Sequence, residues 1–579
     1  MESRKHRILR MTIWSICILV LLLYPLRHVR MGVDLWDGGY NYANFRYNGL
    51  EYMDSMWFFA TWLANEVGSI FIRLPFGSVC LGMNIYTGLV VSFMAATAFL
   101  FCVKSLKMPM WLVLAAELVA VSLCWAPTAM LYSYLTYAFL LVGTVFLYKG
   151  LLEDRSAYLI AAGVVLGINV GNRFSNLVQT GLILAVWIYG ISERKKAVRI
   201  LRETGYCVLG YMSALAVFVG FMSLKYGFGN YVQGILRLFQ MTENAEDYTP
   251  ARMLLGMVWA YYDCTYFLKR LALTVICGLA VCIIFPKSWV LVKKLVTVIF
   301  TVCLGIWLTQ NLFYSRDLAT YDSVYYPCVT VLTMTMCLSV YQIGDRKAAK
   351  EDRLLGILLI LTILMTSLGG NNAIYSSINN MFLVMPGFLW LMWRFCRDKA
   401  HICYFPFKCI LTICLFFLAV QSIRFGNGFL YEEATGGRNM TAEVTGIPVL
   451  KGMITSPEKA EAVEELYLFL QNRELGDRKC ILYGQIPGLA YYMELAPAIN
   501  VWSDLRSYDY DIMLQDLQQI EERPVILLSA ACADYVIDQN GENLFWDVTA
   551  ERKMLLLCSY IEENGYTEVF RNGKFAVYE

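Results

Sequence analysis

Asp34 and Asp37 stand three residues apart in Gly32-Val33-Asp34-Leu35-Trp36-Asp37-Gly38-Gly39-Tyr40, directly after the first long apolar run of the chain. Two carboxylates among Trp36 and Tyr40 place charge beside rings that favour a membrane surface. Partial loss of water there raises a carboxyl's pKa and suits it to general-base work. A solvated turn explains the same residues, because Gly38-Gly39 is a turn signal and Asp favours turns. On spacing alone the turn is the favoured reading.

The elements that must position these acids are membrane helices. Of 579 residues, 58% are hydrophobic and only 16% charged, and the mean hydropathy is +0.51. So few charges could not cover a soluble globule of this size, whereas lipid accepts an apolar exterior. A net charge of +2 gives no sign of a nucleic-acid partner. Arg4-Lys5-His6-Arg7 and Arg10 precede an apolar run from Met11 to Leu26. Arg27-His28-Val29-Arg30 follows in place of a small-residue cleavage site, so the run reads as an anchor helix and not as a signal peptide. Further runs centre near Val90, Leu114, Leu141, Val164, Leu184, Ala216, Gly278, Cys303, Val331, Ile360, Phe388 and Leu415, giving about thirteen spanning helices.

Basic residues orient them. A cytoplasmic N-terminus places Lys104/Lys107, Lys149/Arg155, Arg194-Lys195-Lys196, Lys287/Lys293/Lys294, Arg346-Lys347 and Arg394/Arg397 in alternate, cytoplasmic loops. The expected location is the plasma (cytoplasmic) membrane, with the C-terminus outside. His6 and His401 then lie inside, leaving His28 as the one histidine near the outer face, so external acid–base work falls to carboxylates. Most of the 18 cysteines lie in apolar runs, with no C-x-x-C, which points to buried thiols and not to a zinc site.

The expected organisation is a transmembrane part over 1–424 and an extracytoplasmic α/β domain over 425–579. The first part carries external loops at 27–81 and 225–267. Within the first loop, Met56 to Phe76 is apolar but interrupted by Asn65, Glu66 and Arg73, and reads as an amphipathic helix at the interface. The second reads as a mixed-charge solvated loop. In the tail, helix patterns over Ser456–Glu474, Asp509–Glu521 and Thr549–Glu563 alternate with strands at Cys480–Tyr483 and Val525–Leu528, before a hairpin at Asn572-Gly573. No phosphate-binding glycine loop follows either strand.

An acid motif opening the first external loop, followed by a juxtamembrane helix, resembles the GT-C superfamily of membrane glycosyltransferases. That superfamily includes protein O-mannosyltransferases and bacterial lipid A aminoarabinose transferases. Asp37-Gly38-Gly39-Tyr40 occupies the place of the family's D-E-x-x-Y or D-x-G-Y, with Gly38 where a second acid often stands. The resemblance implies that Asp37, or else Asp34, deprotonates or positions an acceptor, with Tyr40 beside it. Gly163 to Arg173 is similar to a small-residue stretch at the outer end of the family's fifth helix. It implies a donor-phosphate contact at Arg173, near Asn169; an arginine reaching to the interface explains Arg173 equally well. Leu368-Gly369-Gly370-Asn371-Asn372-Ala373-Ile374-Tyr375 resembles the family's R-Y-x-x-x-x-x-P region without its arginine, and offers Asn371, Asn372 and Tyr375 to a sugar. An ordinary tight loop accounts for them too.

The function implied is inverting transfer of a hexosyl or pentosyl group from a polyprenyl-phosphate donor to a glycan, lipid or protein acceptor at the outer face. No cofactor is required, although two carboxylates near a phosphate could hold Mg²⁺ or Mn²⁺. A transporter or flippase of a lipid-linked glycan is the alternative, which asks for charges deep within helices. A non-catalytic membrane scaffold is the third.

Overall fold

The structure, a computed structural model, describes residues 4–49, 55–125, 128–243, 249–284, 286, 288–310, 318, 320–370, 372–398, 405–431, 439–538, 545 and 548–579. Each apolar run forms a helix, from Arg4–Leu23 through Cys80–Lys104, Met110–Leu123 and Leu131–Glu153 to Phe405–Gly428. Among the described residues, eight helices are long and apolar enough to cross a membrane, and Met110–Leu123 and Ser156–Asn172 are shorter apolar helices. The chain is a multi-pass membrane protein. The helices expose Leu209, Val217, Leu224, Leu291, Val298 and Ile306, as lipid-facing surfaces do, while a large core joins the inner faces of most of them and a smaller cluster of Phe267, Leu304 and Leu308 holds Val290–Gln310.

Small residues set the closest packing. A Cβ on Gly163 would lie 2.0 Å from the Cys207 carbonyl oxygen, and one on Gly210 2.1 Å from that of Ile160. The helices Ser156–Asn172 and Ala197–Tyr226 therefore meet backbone to backbone. At the Asn172 end of the first of these helices, Asn169, Asn172, Asn176, Gln179 and Thr136 form a buried polar network.

The charges do not all gather at helix ends. Glu117, in the middle of Met110–Leu123, is completely buried and neither carboxyl oxygen has a hydrogen-bond partner among the described residues. A single acid in an apolar run leaves the run's hydropathy almost unchanged, so it hides in a sequence reading.

The first loop is helical over Asp37–Arg46, Ser55–Ala60 and Trp62–Arg73. In Trp62–Arg73 the inward residues are Ala64, Asn65, Gly68 and Ser69, while Ile70 and Leu74 are exposed. Asn65, read as an interruption, is thus on the packed side. Gly68 makes room for the Phe45 ring, whose Cγ lies 2.3 Å from where a Cβ would be. The second loop also differs from a solvated loop. It contains the helices Phe228–Glu243 and Pro250–Asp263, with Phe228, Leu236, Phe239, Leu254 and Trp259 exposed.

The tail forms a small α/β unit. Strands β1 (Ala442–Glu443) and β2 (Ile454–Thr455) pair antiparallel. Strands β3 (Cys480–Tyr483), β4 (Val525–Ser529), β5 (Glu568–Arg571) and β6 (Phe575–Tyr578) form a sheet in the order β3-β4-β6-β5, with β3 and β4 parallel. The helices Pro457–Asn472, Tyr510–Gln518 and Val548–Glu563 lie where the sequence patterns place them, and the Asp509 side chain caps the second by accepting from Ile512 N–H at 2.9 Å. Two short helices, Gly488–Tyr492 and Ala530–Asp538, carry no periodicity strong enough to be read in advance.

Candidate functional site

Asp34 and Asp37 prove to be differently placed. The Asp34 carboxylate accepts the Trp36 N–H at 2.8 Å and the Gly38 N–H at 2.6 Å, through one oxygen each. It therefore caps the helix Asp37–Arg46, supplying acceptors that the helix start lacks. Only glycine fits next to it: a Cβ on Gly38 would lie 2.7 Å from Asp34 Oδ2. The solvated turn is thus replaced by a capped helix start in which Gly38 and Gly39 are buried.

Asp37 occupies the first turn of that helix. Its Oδ2 accepts the Tyr431 O–H at 2.6 Å, across 394 positions of sequence. The side chain is half-buried, but its carboxyl is sufficiently withdrawn from water that burial raises its pKa, opposed by the Tyr431 hydrogen bond.

Beyond Tyr431 runs a line of rings. Trp125 stacks on Tyr431 at 6.1 Å and on Tyr321 at 4.4 Å. Tyr375 meets Trp125 at 6.3 Å and Tyr321 at 5.0 Å, and its hydroxyl donates to Asp322 Oδ1 at 2.7 Å. One acid therefore stands at each end of an aromatic row. The Asn379 side chain fixes Trp125 by accepting its backbone N–H at 2.9 Å.

A cavity of about 160 Å³ opens beside this row, lined among others by Arg27, His28, Asp34, Gly38, Trp125 and Tyr431. Arg27 donates through Nε at 2.8 Å and Nη2 at 2.5 Å to the Gly426 carbonyl, and His28 Nε2 lies 3.0 Å from the same oxygen. These contacts satisfy a carbonyl at the C-terminal end of Phe405–Gly428. No carboxylate pairs with Arg27 among the described residues. The buried indole N–H of Trp125 has no acceptor among the described residues. The cavity wall thus offers positive charge and donors next to the Asp37 partner.

The other residues singled out in the sequence are distributed around this centre. Arg173 follows the helix Ser156–Asn172 in extended backbone, with its guanidinium 5.3 Å over the Tyr132 ring and 3.6 Å from where a Cβ on Gly370 would sit. It is part-exposed, no carboxylate pairs with it among the described residues, and it borders the loop leading to Tyr375. Asn172, beside it, is held by Tyr132 and Thr136. Asn169 is completely buried, with its amide on Gln179 and its oxygen on Asn176, so it supports the end of the helix and does not face the cavity. Tyr40 is turned to the small α/β unit, its ring 5.4 Å from Trp502, and away from the aromatic row. Asn372 is exposed, and Asn371 lies outside the described residues.

Arg27, Trp125, Asp322 and Tyr431 were not legible as site residues. Aromatic residues at helix ends read as an interfacial belt, and Arg27 reads as the end of a span. Both Asp34 oxygens accept backbone N–H groups and Asp37 Oδ2 accepts Tyr431, so protein donors already engage three of the four carboxylate oxygens. Among the described residues no cluster of three His, Cys, Asp or Glu side chains could hold a metal ion.

No family model and no curated relative matches the chain. Among solved structures it is similar to the oligosaccharyltransferase of Archaeoglobus fulgidus. The complex of that protein with Zn and sulfate is 9% identical, covering 90% of this chain and 68% of that one, with a TM-score of 0.46. The form tethered to an acceptor peptide containing the NVT sequon is 10% identical, with 98% and 74% covered and a TM-score of 0.46. The complex with an inhibitory peptide and a dolichol-phosphate is 12% identical, with 98% and 74% covered and a TM-score of 0.43. Likenesses this distant leave the function of the chain to its own residues.

Proposed function

We propose that this chain is a membrane glycosyltransferase of the GT-C type, moving a sugar from a polyprenyl-phosphate donor to a glycan, lipid or protein acceptor at the outer face of the plasma membrane. The observation that carries the reading is Asp37: a carboxyl with a raised pKa, held by Tyr431, at the head of an aromatic row beside a cavity walled by Arg27. A base needs to be partly desolvated and fixed in direction, and Asp37 is both. Apolar rings interspersed with polar groups suit the mixed faces of a sugar.

In the proposed reaction, Asp37 takes the proton of the acceptor's nucleophilic group as that group attacks the anomeric carbon. The bond from that carbon to the phosphate oxygen breaks on the opposite side, so configuration inverts. Polyprenyl phosphate leaves with the electron pair, and its growing charge favours contact with a guanidinium. Arg27 and Arg173 are the cations available for it, Arg27 in the cavity wall and Arg173 beside the Tyr375 loop. Asp34 acts indirectly, by capping the helix that presents Asp37. No step is routed through a metal.

The test is Asp34→Asn and Asp37→Asn, singly and together, with cell-surface glycan as the readout. Loss of transfer is expected whenever Asp37 is changed, and unchanged glycan in all three variants removes the reading. Glu117 favours a second reading, transport of a lipid-linked glycan, because an acid buried within an apolar helix, without a hydrogen-bond partner among the described residues, is what a transport path requires. Under that reading Glu117→Gln, and not Asp37→Asn, strands the lipid-linked intermediate on the cytoplasmic face.

A further inference from the structure

The segment that carries the acid is held from outside the membrane part. Ile454 N–H donates to the Arg30 carbonyl at 2.7 Å, and Gly32 N–H donates to the Ile454 carbonyl at 2.8 Å. Lys459 Nζ reaches the Val33 carbonyl at 3.3 Å, Tyr492 O–H the Asp34 carbonyl at 2.7 Å, and Gly488 N–H the Leu35 carbonyl at 2.8 Å. Every residue from Arg30 to Leu35 except Met31 thus has a backbone group bonded to the small α/β unit, and Met31 forms a parallel bridge with Ile454. The helix that follows continues the docking. Tyr42 meets the Tyr491 ring at 5.3 Å, Tyr47 O–H donates to the Ala490 carbonyl at 3.3 Å, and Arg46 pairs with Glu494 at 2.6 Å.

The contact is closest at two glycines. A Cβ on Gly39 would lie 2.3 Å from Gly488 Cα and 2.7 Å from the Asp34 carbonyl oxygen. One on Gly488 would lie 3.0 Å from Leu35 Cα and 3.1 Å from the same oxygen. Backbone therefore touches backbone two positions from Asp37, with no flexible side chain between to absorb a displacement.

We infer that the small α/β unit is a positioning device for Asp37, with Gly488 and Tyr492 of the helix Gly488–Tyr492 as its positioning residues. The inference rests on Asp37 being the reacting acid, and it makes the tail part of the site's framework. Tyr492 fixes the Asp34 carbonyl, Asp34 caps the helix start, and the helix start presents Asp37 to Tyr431. On the docked segment from Arg30 to Leu35 it is backbone groups that make these bonds, so few side-chain patterns advertise the docking in the sequence.

The test uses the full chain in lipid nanodiscs, with Tyr492→Phe, Gly488→Ala and Gly39→Ala. Two readouts are compared: hydrogen exchange of the amides at 36–40, and kcat against KM for transfer from the host's lipid-linked sugars. Tyr492→Phe removes one hydrogen bond at nearly constant volume, and about a five- to tenfold fall in kcat is expected with KM unchanged and faster exchange at 36–40. Gly39→Ala forces the backbones about 1 Å apart and lowers kcat about a hundredfold. Gly488→Ala, with its milder clash, falls between.

Normal exchange and normal kcat in Tyr492→Phe and Gly488→Ala overturn the inference, as does a loss that only follows the amount of folded protein. Should Gly39→Ala fail to fold, those two variants decide. Asp37→Asn separates the premises. If it retains transfer, the assignment of Asp37 fails whatever the exchange data say; if it is inactive while both milder variants behave as wild type, only the positioning inference fails.

Discussion

Tyr431→Phe removes the hydrogen bond that ties the segment following the helix Phe405–Gly428 to the acid. The Tyr431 O–H reaches Asp37 Oδ2 at 2.6 Å, the distance of a charge-assisted bond. A hydrogen bond to a charged group contributes about 1.5–3 kcal/mol, equivalent to about a ten- to hundredfold change in an equilibrium constant. Phenylalanine keeps the ring, and with it the stack on Trp125, so the change is mainly electrostatic. Burial already holds the Asp37 pKa above the ordinary carboxylate range, and the Tyr431 bond opposes that rise. Without it the pKa moves further up. A base acts only when deprotonated, so the acid limb of the rate profile must shift to higher pH. On that limb the rate should fall about ten- to hundredfold, and at high pH it should return towards that of the wild type. The assay is release of polyprenyl phosphate by right-side-out membrane vesicles over a series of buffers, followed by mass spectrometry. An unchanged profile, a shift to lower pH, or an equal loss at every pH would each refute the reasoning.

Asp37→Asn should abolish transfer yet unfold no earlier than the wild type at neutral pH, because a carboxyl with a raised pKa costs stability when charged; thermal unfolding with a parallel activity assay tests both parts. Asp34→Ala should instead lose about 1–2 kcal/mol of stability through its vacated cap, visible as a lowered Tm, with activity falling further than the folded fraction because the uncapped helix start no longer holds Asp37 in place. Arg27→Gln should weaken retention of polyprenyl phosphate more than Arg173→Gln if the cavity holds the leaving group, as read by lipid extraction from purified protein. In the small α/β unit, burial pushes Asp504 up to about 6, opposed by Lys553 and by the Gly484 and Gln485 N–H groups. The folded chain binds that proton more tightly than the unfolded one, so this contribution to stability is complete below about pH 4 and lost as pH rises through about 6. Melts of the wild type and Asp504→Asn should therefore diverge between those values and run parallel above them.

Helices and strands were legible because their signals are local. Run length alone locates the helices from Cys80–Lys104 to Phe405–Gly428, and apolar tetrads with turn residues at their ends locate β3 and β4. Charge placement gives a consistent expected orientation. Even Asp509 announces the helix it caps. The sequence by itself thus determined a multi-pass helical protein with an α/β tail, and drew attention to Asp34 and Asp37.

The difference between those two acids belongs to the tertiary structure. Asp34 becomes a cap because Gly38 leaves space for its carboxylate, and Asp37 becomes a candidate base because Tyr431 arrives from the far end of the chain. Trp125, Asp322, Tyr375 and Tyr431 form a row only once the ends of separate helices are neighbours, and Glu117 is isolated only once other helices pack around Met110–Leu123. Periodicity records which face of a segment is apolar, not which segment covers it. The site is made of such coverings, and that is why its chemistry waited for the fold.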